Sequence, residues 1–271
     1  MAPTVVPLRW TASDRPSVRL GGLTGAAELA VGGYELDSAI ALLDALLIHS
    51  GDHDVVAAAD LATPDRDRVF AALLDRLVGD RIESTVRCRS CGELFELSFS
   101  LAALLEHRGG FVPTDVVAVS PGRWALDGTT FRFPTGHDEQ RARDTDNPAV
   151  ELRARCLGFA DPSGDTAPAD TPGDAAVPTR VEEAMAAMAP VLATEIGGEC
   201  PECGETHAVT FDVQQYTTTL VRLGREQLLR DIHVIASAYG WSRTEILELD
   251  RAERRVYSDL IGARRRAGVR P

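Results

Sequence analysis

The sequence predicts an α+β fold in which two short β-hairpins, far apart along the chain, share one site while helices fill the remainder. Two matching turns carry the first part of this reading: Cys88-Arg-Ser-Cys91-Gly92-Glu93 and Cys200-Pro-Glu-Cys203-Gly204-Glu205. Each runs into residues that alternate in hydrophobicity: Phe95, Leu97 and Phe99 after the first, and His207, Val209, Phe211 and Val213 after the second. That period of two belongs to a half-buried strand. The third observation is a series of helix start and stop signals across most of the other residues.

A Cys-x-x-Cys turn points two thiolates at one ion, and two such turns complete a tetrahedral four-cysteine zinc site. The Gly after each pair lets the loop fold back through backbone angles that other residues resist. The fold expected is therefore a split zinc ribbon, with one structural Zn2+ per chain on Cys88, Cys91, Cys200 and Cys203. Residues 92–199, 108 in all, separate the half-sites, far more than a simple ribbon spacing. Two unrelated turns, or a disulfide between them, compete with this reading. A thioredoxin-like redox motif would open a helix after a strand, whereas each motif here leads into strand sequence. A catalytic zinc keeps an open position, which four thiolates would close.

In chain order, residues 1–20 hold three prolines and little periodicity, and read as an extended N-terminal arm. Residues 21–79 form an N-terminal helical region. Leu36, Ile40, Leu43 and Leu47 recur at helical spacing, and His49-Ser-Gly-Asp-His53 reads as a solvated loop. Thr63-Pro64-Asp65 reads as a helix start, with Thr as cap, Pro at the first position and acids in the first turn. Val69, Phe70, Leu73, Leu74, Leu77 and Val78 would be its buried stripe, and Gly79 its stop. Residues 80–100 are the first half of the ribbon, with a strand over 82–87, and Ser100 caps a short helix.

Residues 101–160 form an inserted α/β region. Val116 to Val119 reads as a strand, and Trp124 to Phe133 as a hairpin about Asp127-Gly128, a pair suited to a type I′ turn. Asn147-Pro148 starts a helix containing Cys156, which reads as a buried small apolar residue. Residues 161–179 are Pro, Gly, Ala and Asp with almost no large apolar groups, and read as a disordered linker. Residues 180–215 supply a helix, opened by a capping box at Thr179–Glu182, and the second half of the ribbon. Residues 216–263 form a C-terminal helical subdomain. Leu228, Leu229, Ile232, Ile235, Ala236 and Tyr239 line one helix that ends at Gly240. Ser242–Glu245 and Asp250–Glu253 start two more, the last burying Val256, Tyr257, Leu260 and Ile261. Residues 264–271 read as a basic tail.

Composition narrows the function classes. The chain has 271 residues, 44% of them hydrophobic, and a net charge of −13. A core of useful size is possible, while such a charge disfavours nonspecific binding to nucleic acid or anionic membrane. No apolar run approaches 18 residues, and the first 20 lack a signal-peptide layout, so a cytoplasmic protein is expected. All 28 basic residues are Arg. The spacing of Ala236, Gly240 and Ile246 is that of a helix-turn-helix, which makes a zinc-ribbon nucleic-acid-binding regulator the alternative function. Yet the would-be recognition helix carries Glu245, Glu248 and Asp250 against Arg243 alone, the wrong sign for a DNA groove. No Gly-x-Ser-x-Gly elbow, phosphate loop or His-Glu-x-x-His is present. His137 reads as part of a polar helix start and His207 as strand packing, so no enzyme is expected.

One further pattern extends from about Leu20 to Ile261. It comprises Val78-Gly-Asp-Arg-Ile82 before the first cysteine pair, Phe131-Arg-Phe-Pro-Thr-Gly136, Arg155-Cys-Leu157, and Thr210-Phe-Asp212 after the second pair. Its most specific part is Tyr239-Gly-Trp-Ser242, then Glu245-Ile-Leu247 and Arg254-Arg255-x-Tyr257. Together these motifs resemble the baseplate hub assembly chaperone family of T-even-type contractile phages, and above all its zinc-ribbon-bearing branch in phage-like extracellular contractile injection systems. The resemblance implies a non-enzymatic assembly factor or hub component whose partners are baseplate hub, spike or wedge proteins. Tyr239, Trp241, Arg254, Arg255 and Tyr257 are its candidate partner-binding residues. Residues 161–179 and 188–198 depart from the family pattern.

Overall fold

The computed structural model describes residues 3–13, 15–33, 35–48, 56–157 and 179–266. The expected linker, the His49–His53 loop and the end of the basic tail lie outside them. In chain order the elements are β1 (Thr4–Pro7), β2 (Ser17–Leu20), α1 (Gly25–Ala30), α2 (Leu36–Leu46), α3 (Thr63–Val78), β3 (Arg81–Arg87) and β4 (Leu94–Ser100). There follow α4 (Leu101–His107), β5 (Val117–Ser120), β6 (Arg123–Leu126), β7 (Thr129–Phe131), α5 (Gly136–Arg143), α6 (Pro148–Cys156) and α7 (Thr179–Met188). The chain closes with β8 (Ala193–Glu199), β9 (Thr206–Asp212), α8 (Val213–Leu223), α9 (Arg225–Tyr239), α10 (Arg243–Glu248) and α11 (Arg251–Arg266). Mixed helices and small antiparallel sheets make this an α+β protein.

The contacts divide the chain into two units: Met1–Val5, Val18–Ala58 and Gln215–Pro271 in one, Val6–Ser17 and Ala59–Gln214 in the other. The second unit is built on α3. The expected stripe holds at Val69, Phe70, Leu73 and Leu74, all at most 1% exposed, but Val78 is 43% exposed at the helix end. Thr63 is the first helical residue rather than the cap, because its hydroxyl bonds the Pro134 carbonyl at 3.1 Å and Glu139 at 2.7 Å. Near the N-terminus, buried Asp65 accepts the backbone N–H groups of Trp10 and Thr11 at 2.8 Å, which ties these two residues to α3. Trp10 then packs against Trp124 and Phe133, in a core that includes Phe131, Val181 and Met188.

Two hairpins of this unit have the same design. β3 pairs with β4 from Arg81↔Ser100 to Arg87↔Leu94, and β8 with β9 from Ala193↔Asp212 to Glu199↔Thr206. Adding 112 to each residue number of the first register gives the second, Arg81 to Ala193 and Ser100 to Asp212. The correspondence extends to the entry of the next helix. Leu101 N–H donates to the Asp80 carbonyl and Val213 N–H to the Leu192 carbonyl, and both side chains are 1% exposed. Between the hairpins, β6 and β7 turn at Asp127 and Gly128, whose φ of 50° and 79° suit the turn expected there.

In the first unit the C-terminal helices follow their cap signals. Gly240 ends α9 in the left-handed region, Ser242 and Glu245 form a capping box, and the Asp250 side chain accepts the Glu253 N–H at 2.9 Å. Ile235, Ile246 and Ile261 make the core of this unit's helical corner. Four residues of this unit expected in helix stripes are instead exposed: Leu229 at 52%, Tyr239 at 37%, Val256 at 58% and Leu260 at 52%. On α11 the inward face passes through Arg254 and Ile261, 1% and 5% exposed, so Val256 and Leu260 point the other way.

Candidate metal centre

The four cysteines sit at the tips of the two matching hairpins. In each tip the backbone closes on itself in the same way. Cys88 N–H donates to the Glu93 carbonyl at 2.8 Å and Gly92 N–H to the Cys88 carbonyl at 3.0 Å. The second tip repeats this, with Cys200 N–H to the Glu205 carbonyl and Gly204 N–H to the Cys200 carbonyl, both at 2.9 Å. Gly92 and Gly204 hold φ of 80° and 74°, which a side chain would oppose.

Facing tips bring the thiols together. The sulfur atoms of Cys88, Cys91, Cys200 and Cys203 all lie within 4.8 Å of one another. Cys88 Sγ is 3.5 Å from Cys203 Sγ, and Cys91 Sγ is 3.7 Å from Cys200 Sγ. These two contacts exchange when the 112-residue shift is applied, so the tips are related by a local two-fold. A tetrahedral zinc with bonds of about 2.3 Å would set its sulfurs roughly 3.8 Å apart. The set therefore fits a metal ion such as zinc, as the spacing predicts. No disulfide joins any of the five cysteines, and the closest sulfurs of the two turns are 3.5 and 3.7 Å apart.

The thiols also influence one another's ionisation. The Cys91 N–H aimed at Cys88 Sγ, opposed by burial and helped by His207 and Cys203, lowers the Cys88 thiol to about 6. Cys91 receives the Glu93 N–H, which lowers it, but burial and the three neighbouring thiols together push it up to about 12. One thiolate forms readily and suppresses the next. A bound dication would remove that conflict, because each sulfur then faces positive charge.

Sequence reasoning missed one member of the site. His207, expected as strand packing, does pack on Phe95 at 5.4 Å, but its Nε2 also lies 3.2 Å from Cys88 Sγ. It is 8% exposed and can donate a hydrogen bond to that sulfur, a contact that orients a ligand rather than adding a fifth one. The signal was the shift itself, which aligns His207 with Phe95. Phe99 and Phe211, also equivalent, meet at 4.9 Å and close the base of the paired hairpins.

Other candidates lie elsewhere. Cys156 is 4% exposed on α6, and burial, its largest influence, pushes its thiol up to about 12. His137 meets Asp60 at 3.1 Å in an exposed position. Tyr239, Trp241 and Tyr257 form a mutual trio with ring centroids 5.1–5.9 Å apart, Tyr239 being 37% exposed. Arg255 is exposed, but Arg254, expected on the same partner surface, is not. It is 1% exposed and pairs with buried Glu28 of α1, because a guanidinium taken out of water needs a carboxylate. Among the described residues no helix is long and apolar enough to cross a membrane. No family model, curated protein or solved structure matches the chain.

Proposed function

We propose that the protein is a zinc-stapled, non-enzymatic assembly factor for the baseplate hub of a contractile, phage tail-like injection system, acting in the cytoplasm. The observation that carries this reading is the convergence of four sulfurs from hairpin tips 112 positions apart. A zinc on all four would have no position left for water or substrate, so its contribution is to hold the two hairpins as one rigid ribbon. A rigid ribbon flanked by helices suits recognition of another protein better than chemistry.

The identity of the partner comes from the sequence resemblance, and two features of the molecule favour it. Tyr239, Trp241 and Tyr257, from the most specific motif, lie in one aromatic cluster around Gly240, so the motif spells a folded corner rather than scattered matches. The charge is also divided: from Arg222 onward 11 Arg face 7 acids, a net of +4, leaving −17 for the first 221 residues. An acidic surface of that size can shield a basic, association-prone hub surface before assembly and speed encounter with it.

Two measurements test the reading. Metal analysis of the purified chain is expected to return one zinc per molecule. Affinity capture with hub, spike and wedge proteins of a contractile particle is expected to retain one of them. Specific binding to duplex DNA at moderate salt, with none of those proteins captured, would replace this reading with the zinc-ribbon nucleic-acid-binding regulator.

A further inference from the structure

The outward face of α11 points to a second copy of this chain as its occupant. Ala252, Val256, Leu260 and Ala263 are all exposed, at spacings of 4, 4 and 3 that place them on one stripe. Val256 and Leu260 are 58% and 52% exposed, while the opposite face of the same helix buries Arg254 and Ile261. The stripe is thus distinct from the face that α11 turns toward its own unit.

The charges beside the stripe identify the occupant. On a helical wheel Arg255 and Asp259 flank one edge, and Glu253 and Arg264 flank the other. Arg255, Asp259 and Arg264 make no ion pair within the chain among the described residues. Two such helices laid antiparallel about a two-fold near Ser258 set Val256 against Leu260 of the other copy and Ala252 against its Ala263. The same register sets Arg255 against Asp259 and Glu253 against Arg264, each pair occurring twice by symmetry. A parallel arrangement would instead lay the Arg255 and Asp259 edge of one helix along the Glu253 and Arg264 edge of the other, where only Arg255 and Glu253 come level. We infer that α11 mediates an antiparallel, isologous self-association of the protein. One helix face is small for an interface, so the dimer is weak and depends on concentration.

Sedimentation of the zinc-loaded full chain, from about 1 to 500 µM, reads this directly. The average mass is expected to climb from 29.1 kDa towards twice that value, and Leu260→Glu is expected to hold it at the monomer. Arg255→Glu and Asp259→Arg each place like charges together twice, and are expected to weaken association by about tenfold or more. An equimolar mixture of those two variants is expected to recover it, because Glu at 255 of one chain then meets Arg at 259 of the other and the native pair forms on the far side. Circular dichroism confirms that these surface variants fold. A chain that stays monomeric throughout, a dimer indifferent to Leu260→Glu, or a mixture no tighter than either variant alone would overturn the inference.

Discussion

Around the sulfur cluster the buried neighbours are few: Phe95, with Val86 packed against it, and His207 beside Cys88. Around Ile235, Ile246 and Ile261 of the helical corner, Ile232, Val234, Ala236, Trp241 and Tyr257 all join the packing. The hairpin tips thus meet at one point, where four sulfurs are placed to share an ion, and the helical corner through many weak contacts spread over a volume. With an ion on all four sulfurs, the first arrangement would be all-or-none with respect to that ion. The second degrades gradually, one side chain at a time, and is indifferent to metal.

Removing the metal should separate the two regions most sharply. Chelation, or Cys88→Ser with Cys200→Ser, is expected to abolish zinc binding by metal analysis and to withdraw on the order of 10 kcal/mol of coupled folding energy. Hydrogen exchange should then rise in β3–β4 and β8–β9 while α9–α11 keep their protection. Loss of protection in both regions together would break the comparison.

Next in size is the buried pair of the helical unit. Glu28 accepts from both Arg251, at 2.7 Å, and Arg254, with all three groups largely withdrawn from water. Glu28→Ala leaves Arg254 buried without its partner and is expected to cost about 3–5 kcal/mol in urea unfolding, with zinc content unchanged.

A pH titration sharpens the comparison from the other unit. Asp67, on α3, accepts the Leu192 N–H at 2.9 Å and Gln214 Nε2 at 2.7 Å at the base of the second hairpin. Burial outweighs these bonds and the nearby Arg66, and raises the carboxyl from 3.8 to about 6. Because the folded value lies above the unfolded one, the unfolded chain ionises first as pH rises. Stability therefore falls between pH 3.8 and about 6 and stays lower above that. Asp67→Asn is expected to flatten this slope and to raise stability at pH 7 by about 1–2 kcal/mol, read from denaturation midpoints at several pH values.

The smallest effect is matched across the regions. Gly204 and Gly240 have φ of 74° and 71°, and a Cβ at either would meet no atom within 4 Å. Replacing either with Ala is expected to cost only the backbone term, about 1 kcal/mol, in thermal or urea unfolding of the zinc-loaded chain.

What could be read from the residues alone follows the range of the interaction. The cysteine pairs, the Ser242–Glu245 box, the stop at Gly240 and the turn at Asp127-Gly128 each need only three or four neighbouring residues, and were legible. The convergence of the two turns was legible because thiolate chemistry demands a partner pair. Asp65 was visible only as an acid in a first helical turn, since its true partners, Trp10 and Thr11, lie more than 50 positions earlier. Arg254 was misread as a surface residue because its partner Glu28 is 226 positions away. Val256 and Leu260 were misread as buried because an amphipathic stripe does not say which of two faces is covered.

The distance between the matching tips also has a temporal meaning. A ribosome adding about 5–20 residues per second would take roughly 6–22 s to advance from Cys88 to Cys200. Throughout that interval the nascent chain carries one cysteine pair, able to grip an ion from two sides only. A site that uses all four sulfurs can close no earlier than emergence of Cys203, by which time every residue between the two pairs has been synthesised.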